Sequence, residues 1–260
     1  MRKTVFANEE FYHIFNRGVD KREVFLDEED YLRFLTCLRE FNRSDAIGSL
    51  YAKSFKDKRA KQRENLEAKP PIGGLASKFS SLDQPLVEIN VYCLNPNHYH
   101  LMLKQLSEDG IRKFMQKIGT AYTMYFNKKY DRSGSLFQGP FKAIHIDSNE
   151  YLLHLSVYIN RNYFIHGYAG CDISEAKPPI GGLASEISPS EWKYCSAADY
   201  LGQRNGTLCK KEIILDQFSG RGSSNPTKGV ELPVSSYAEF LEANADYFKE
   251  KKELEKYILE

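Results

Sequence analysis

The chain of 260 residues lacks a long apolar run and any paired cysteine motif. No stretch approaches the ~18 consecutive apolar residues that a membrane-spanning helix needs, so we expect no membrane partner. The start, MRKTVFANEEFYHIF, has basic residues without a following apolar segment and predicts no signal peptide. The five cysteines are odd in number and form no CxxC pattern, which favours reduced thiols. We therefore expect a cytoplasmic protein.

The chain also has almost no net charge, and the value of +1 by itself indicates no class of partner. The charges are unevenly distributed, however. Residues 104–142 contain eight basic and three acidic side chains, whereas residues 231–260 contain eight acidic and four basic ones. A basic middle is compatible with a phosphate-rich ligand, and equally with ordinary solvated helix faces.

The sequence does contain a clear order of alternating and helical patterns. Alternation of side chains predicts strands at 10–18, at 86–94, within 95–104 and at 141–147. Helical spacing predicts helices at 26–42, from about 107 to 133, and at 149–166. The order β-α-β-β-α-β followed by a helix is that of a split βαβ, or ferredoxin-like, fold. We predict an α+β protein with an antiparallel-rich sheet and helices on one face.

Two segments do not fit such a core. Residues 43–85 exceed the ~12–15 residues usual for a structureless loop, and we expect a flexible insert. Its segment EAKPPIGGLAS (67–77) recurs at 175–185. Because a structural repeat spans a whole supersecondary unit, we interpret the two segments as in-frame copies of one repetitive DNA element in surface loops. The predicted organisation is a main domain at 1–168, a loop at 169–189 and a C-terminal helical appendage at 190–260.

The segment NPNHYHLMLK (95–104) begins with a predicted turn at Asn95-Pro96-Asn97. The predicted strand that follows carries two histidines one residue apart. Because successive side chains point to opposite faces of a strand, His98 and His100 share one face and Tyr99 lies on the other. Two imidazoles directed at one point favour a metal site. The alternative is structural, with one histidine solvated and the other hydrogen-bonded.

The helix predicted at 149–166 offers further donors. Tyr158 and Asn162 are four residues apart and therefore lie on one helical face. A packed amide costs free energy unless it is bonded or coordinated, so Asn162 could add an oxygen to the two imidazoles. Such a set with open positions suits Mg²⁺ or Mn²⁺ acting on a phosphate, although softer metals would also bind. Tyr158 would then hold its phenol beside the metal as a possible nucleophile.

Four motifs in order resemble the REP-associated tyrosine transposases, which are single-tyrosine HUH enzymes with an IS200-like domain. The motifs are YHIFNRGVDKREVF (12–25), NPNHYHLML (95–103), RSGSLFQGPFKA (132–143) and YLLHLSVYINRNY (151–163). The resemblance resumes at 190–218, which is similar to the family's C-terminal appendage.

The resemblance implies a role for each matching residue. His98 and His100 would be the HUH metal ligands, Asn162 a third ligand and Tyr158 the nucleophile. The implied reaction is metal-assisted attack of the Tyr158 phenolate on single-stranded DNA, leaving a 5′-phosphotyrosine and a free 3′-OH for strand transfer. The implied target is an imperfect palindrome folded as a hairpin. The protein would be nucleoid-associated, and a monomer or homodimer.

The third motif departs from the family pattern, because Pro140 stands where a basic residue usually follows the glycine. This substitution could remove one phosphate contact. Arg17, Arg132 and Lys142 remain candidates for DNA binding. Two rival interpretations stay open: a domesticated protein that binds DNA hairpins without cleaving them, and a metal-dependent phosphoesterase that uses water in place of tyrosine.

Overall fold

A computed structural model describes residues 4–45, 84–166, 192–218 and 236–244. Both copies of EAKPPIGGLAS and most of the insert predicted at 43–85 lie outside the described residues. The described strands form one antiparallel sheet in the spatial order β2-β3-β1-β4. The strands are β1 (Phe11–Arg17), β2 (Val87–Asn95), β3 (His98–Gln105) and β4 (Lys142–Ile146).

The helices that carry the fold follow the predicted order. They are α1 (Glu28–Glu40), α2 (Gly110–Lys129), α3 (Asn149–Asn160) and α4 (Asn162–Ile165), followed by α5 (Ala197–Tyr200), α6 (Glu212–Leu215) and α7 (Tyr237–Ala243). The order β1-α1-β2-β3-α2-β4, together with the order of strands in the sheet, is that of the split βαβ unit. The predicted ferredoxin-like α+β fold is therefore confirmed. Among the described helices, none is long and apolar enough to cross a membrane.

The helices α1 and α3 each begin at a side chain that caps free N–H groups. Asp27 accepts a hydrogen bond from the backbone N–H of Asp30 at the start of α1, at 3.1 Å. Ser148 accepts one from the N–H of Tyr151 at the start of α3, at 3.2 Å. Because the first N–H groups of a helix have no partner within it, these caps fix where each helix starts.

The sheet is covered on both faces. On one face Phe34 of α1 contacts Tyr99 of β3 and Tyr122 of α2, with ring centroids 5.1 and 5.0 Å apart. On the other face Tyr158 of α3 contacts His100, the neighbour of Tyr99, at 5.5 Å. The prediction of helices on one face is therefore wrong. β3 is buried along both faces, and α3 covers the face that α1 and α2 leave open.

The helix predicted at 149–166 is not continuous. α3 ends at Asn160, Arg161 has φ −109° and ψ 5°, and α4 begins at Asn162. Asparagine is a weak helix former because its amide competes with the backbone for hydrogen bonds. Both amides have tertiary partners here, since Asn160 bonds Ser196 and Asn162 lies 2.9 Å from a nitrogen of His98.

Residues 192–218 cover the open edge of β2. The N–H of Leu94 donates to the carbonyl of Tyr194 at 3.0 Å, and the N–H of Ser196 donates to the carbonyl of Tyr92 at 2.9 Å. The indole of Trp192 donates to the carbonyl of Leu94 at 2.9 Å. An unpaired sheet edge exposes backbone donors and acceptors, and this segment satisfies them. It also fixes the end of β2 next to the β2–β3 turn.

Candidate active site

The four residues proposed for chemistry converge on the face of the sheet that α3 covers. His98 and His100 come from β3, and their ring centroids are 5.1 Å apart. Tyr158 of α3 lies edge-on to His100, and Asn162 Oδ1 at the start of α4 lies 2.9 Å from His98 Nε2. None of the four is more than 6% exposed. The paired imidazoles thus lie directly across from the helix that carries Tyr158.

Hydrogen bonds fix which nitrogen of His98 faces the site. Asn97 Nδ2 donates to the carbonyl of Lys21 at 3.2 Å, so Asn97 Oδ1 is the atom that lies 2.5 Å from His98 Nδ1. An amide oxygen only accepts, and His98 Nδ1 therefore carries the proton. His98 Nε2 is left with a lone pair. Asn95 Nδ2 donates to that nitrogen at 2.9 Å and to Asn162 Oδ1 at 2.5 Å. The two acceptor atoms, His98 Nε2 and Asn162 Oδ1, therefore both face Asn95 Nδ2.

His100 places a second ring nitrogen at the site. Its Nδ1 lies 2.9 Å from His13 Nε2, while its Nε2 is buried without a hydrogen-bond partner among the described residues. Burial lowers the pKa of His98 to about 3 and the pKa of His100 well below its usual range. Both imidazoles are therefore neutral near pH 7, which is the state in which histidine binds a metal.

The donors present fit a divalent cation. The candidate ligand atoms are His98 Nε2, His100 Nε2 and Asn162 Oδ1, which belong to buried neutral side chains at neighbouring positions. Among the residues that the structure describes, no cluster of three or more His, Cys, Asp or Glu side chains could hold a metal. The amide oxygen of Asn162 would be the third donor beside the two imidazoles. With no carboxylate in the set, the charge of the cation is compensated only when an anion such as a phosphate joins it.

A small cavity opens beside the two histidines. Its volume is about 20 Å³, which holds roughly one ion or water molecule. Its lining is Phe15, Asn16, Arg17, His98, Tyr99, His100, Gln138 and Lys142. Two of the three cations proposed for DNA binding, Arg17 and Lys142, therefore lie at the cavity. Arg132 does not line it: its guanidinium bonds Asn127 Oδ1 at 2.9 Å and lies over the Phe126 ring.

Comparisons with known proteins address the family of this chain. Residues 76–162 match the protein-family model described as "Transposase IS200 like". The predicted resemblance to IS200-like transposases is confirmed over this segment. The matched segment includes His98, His100, Tyr158 and Asn162. The family that the model describes consists of transposases, which are enzymes that act on DNA.

Two further comparisons concern individual proteins. No curated protein sequence matches that of this chain. Its structure is similar to the solved structure of a REP-associated tyrosine transposase bound to a REP hairpin. The TM-score is 0.47 at 12% sequence identity, and the match covers 81% of this chain and 97% of the other.

Four side chains around the candidate site have no functional role in the sequence-based interpretation. Asn95 and Asn97 are interpreted only as parts of a turn, and His13 is assigned no functional role. The same holds for His166, whose ring centroid is 4.7 Å from that of His98. The pairing of Asn95 with His98 across the β2–β3 turn could have revealed the first of these. The others depend on strand register and on the course of the chain after α3, which no local pattern encodes.

Proposed function

We propose that the protein is a metal-dependent single-stranded DNA endonuclease and strand transferase that acts through a 5′-phosphotyrosine on Tyr158. One observation carries the proposal: the Tyr158 ring lies against His100, on the same buried side of the sheet where His98 Nε2 and Asn162 Oδ1 lie 2.9 Å apart. A nucleophile needs a polarised electrophile beside it. This arrangement places the proposed nucleophile beside the side chains that would hold a cation to polarise the phosphate.

In the proposed reaction the Tyr158 oxygen attacks a phosphorus atom of the DNA and the bond from phosphorus to the 3′ oxygen breaks. The phenol proton passes to solvent, and the departing oxygen takes up a proton to become a 3′-OH. Attack by a 3′-OH on the phosphotyrosine reverses these bond changes and joins strands. Mg²⁺ or Mn²⁺ at His98, His100 and Asn162 would polarise the phosphate and offset the charge that grows on its oxygens.

The side chains around the cavity would orient the DNA phosphates. Burial of His98 and His100 excludes water from one side of the phosphate, which strengthens electrostatic interactions there. Arg17 and Lys142 would contact phosphates that flank the cleaved bond. From the resemblance to REP-associated transposases, we propose an imperfect palindrome folded as a hairpin as the substrate, cut in its unpaired flank. Such a substrate places the enzyme in the cytoplasm, at the nucleoid.

A covalent adduct tests the proposal. The full chain is incubated with Mn²⁺ and single-stranded hairpins from its own genome, labelled at the 3′ end in one sample and at the 5′ end in another. A 5′-phosphotyrosine retains the downstream fragment, so we expect denaturing gels to show 3′ label on the protein. The 5′ label should appear in a shorter free strand. EDTA added before the DNA should prevent formation of both products.

The two rival functions give different results in the same assay. A phosphoesterase that uses water would shorten the strand in both samples without labelling the protein. A hairpin-binding protein would retard the DNA on a native gel and leave both labelled strands intact. Either result would exclude the tyrosine mechanism, and a matched strand with a scrambled, unpaired sequence controls for recognition of the hairpin.

Lys142→Ala is expected to weaken binding of single-stranded DNA by a similar factor for every sequence. Lys142 is an exposed cation on β4 at the cavity, and loss of one phosphate contact lowers the slope of log affinity against log salt by about 0.7. Fluorescence anisotropy at several salt concentrations measures this slope. Arg132→Ala removes the same charge away from the cavity and should leave the slope unchanged. Equal changes of the slope in both variants would show that Lys142 contributes only to the overall positive charge of the protein.

A further inference from the structure

A buried pair of histidines joins β1 to β3 beside the proposed metal ligands. His13 Nε2 lies 2.9 Å from His100 Nδ1, and the two rings are nearly parallel with centroids 5.1 Å apart. His13 is 0% and His100 1% exposed. The contact runs diagonally across the sheet, since β1 pairs His13 with Met102 and pairs Phe15 with His100.

One proton lies between the two nitrogens, and its position decides what His100 can bind. If the proton is on His13 Nε2, neutral His100 carries its own proton on Nε2 and cannot bind a cation there. If the proton is on His100 Nδ1, His100 Nε2 has a lone pair directed into the site. Neither His100 Nε2 nor His13 Nδ1 has a hydrogen-bond partner within the described part of the chain, so hydrogen bonding alone does not choose between the two forms.

Binding of a cation selects one of the two tautomeric forms, because only the form with the proton on His100 Nδ1 can coordinate it. His98 is held in the equivalent way: its Nδ1–H donates to Asn97 Oδ1 and its Nε2 faces the site. We propose that His13 is a positioning residue that accepts the Nδ1–H of His100 and thereby fixes the ring orientation and tautomer in which Nε2 receives the cation. The inference rests on the proposed function, whose metal ligands include His100.

The structure favours this role over simple packing for a chemical reason. Metal-binding histidines in proteins donate their second ring N–H to an acceptor, which fixes the tautomer and makes the coordinating nitrogen more basic. Of the described side chains, His13 is the one within hydrogen-bond distance of His100 Nδ1. An apolar residue of the same size would fill the space equally well but would leave that N–H without an acceptor.

Binding of Mn²⁺ alone to the full chain, followed by the electron paramagnetic resonance signal of free Mn²⁺, tests the role of His13. We expect His13→Phe to raise the dissociation constant by about 10–100-fold. His13→Gln retains an acceptor oxygen and should restore much of the affinity. His145→Phe is the matched control, because His145 is exposed and bonds Glu10 at 2.9 Å outside the cavity. Thermal unfolding of each variant is measured in parallel.

The result that overturns the inference is a folded His13→Phe protein that binds Mn²⁺ as tightly as the unaltered chain. A purely structural His13 would lower the unfolding temperature in both His13 variants and leave the dissociation constant of the folded fraction unchanged. An unaltered chain that binds no Mn²⁺ would overturn both this inference and the proposed metal chemistry. Mn²⁺ binding weakened by His13→Phe, in a chain that forms no DNA adduct, would support His13 and reject the tyrosine mechanism.

A spectroscopic measurement decides the matter even if His13→Phe does not fold. Long-range ¹H–¹⁵N spectra of the unaltered chain, labelled at its histidine rings and loaded with diamagnetic Zn²⁺, distinguish the two neutral tautomers. We expect the signal lost in His100→Gln to show a protonated Nδ1 and a metal-bound Nε2. A protonated Nε2 on His100 in the loaded protein would contradict the proposal.

Discussion

Replacing Tyr158 with Phe is expected to abolish the covalent protein–DNA product and to slow strand cleavage by at least ~10³-fold, since removal of a nucleophile removes the whole covalent route. The substitution deletes one oxygen and keeps the ring that packs edge-on to His100 at 5.5 Å and to His13 at 6.3 Å. We therefore expect binding of Mn²⁺ and of the DNA hairpin to remain near the level of the unaltered chain.

The measurement is the transfer of 3′ label to protein, followed over time at saturating DNA. Tyr151→Phe is the matched control, because Tyr151 is a half-buried tyrosine seven residues earlier on α3 and should retain full activity. Cleavage by Tyr158→Phe without an adduct would mean that water is the nucleophile. An undiminished adduct would assign the attack to a different tyrosine, and either outcome refutes the assignment of Tyr158.

The fold was predictable because its elements have strong local patterns. The alternation of residues 98–101 predicts β3 and the shared face of His98 and His100, and that shared face follows from strand geometry alone. The repeated apolar positions of α1 and α2 predict two amphipathic helices that each bury one face. These patterns give the order of elements, and the order in turn restricts the topology to few choices.

The contacts of the site depend on information that local patterns do not contain. The pairing of His13 with His100 requires the register of β1 against β3, two strands separated by more than eighty residues. The position of α3 on the second face is missed for a similar reason. Alternating histidines among apolar residues suggest one polar face, whereas both faces of β3 are buried. The break at Arg161 likewise follows from tertiary hydrogen bonds of Asn160 and Asn162.

The two asparagines on either side of that break, Asn160 and Asn162, provide a test of the proposed metal ligands. Both are 0% exposed, but Asn162 Oδ1 faces His98, whereas Asn160 accepts from Ser196 Oγ at 2.6 Å and donates to the Tyr237 hydroxyl at 2.9 Å. Asn162→Ala is expected to weaken Mn²⁺ binding by about 100-fold, the upper end of the loss seen when a residue supporting a metal site is removed. Strand cleavage at low Mn²⁺ should fall by a similar factor.

Asn160→Ala should produce the opposite pattern. It removes two buried hydrogen bonds and leaves Ser196 and Tyr237 unsatisfied, so we expect it to lower the free energy of unfolding by about 1–3 kcal/mol. Chemical denaturation measures that change, and Mn²⁺ titration of the folded protein should give an unaltered dissociation constant. Equal losses of Mn²⁺ affinity in both variants would show that the break between α3 and α4 acts only through stability. A loss confined to Asn162→Ala would assign its amide oxygen to the metal, because both side chains are buried amides only two positions apart.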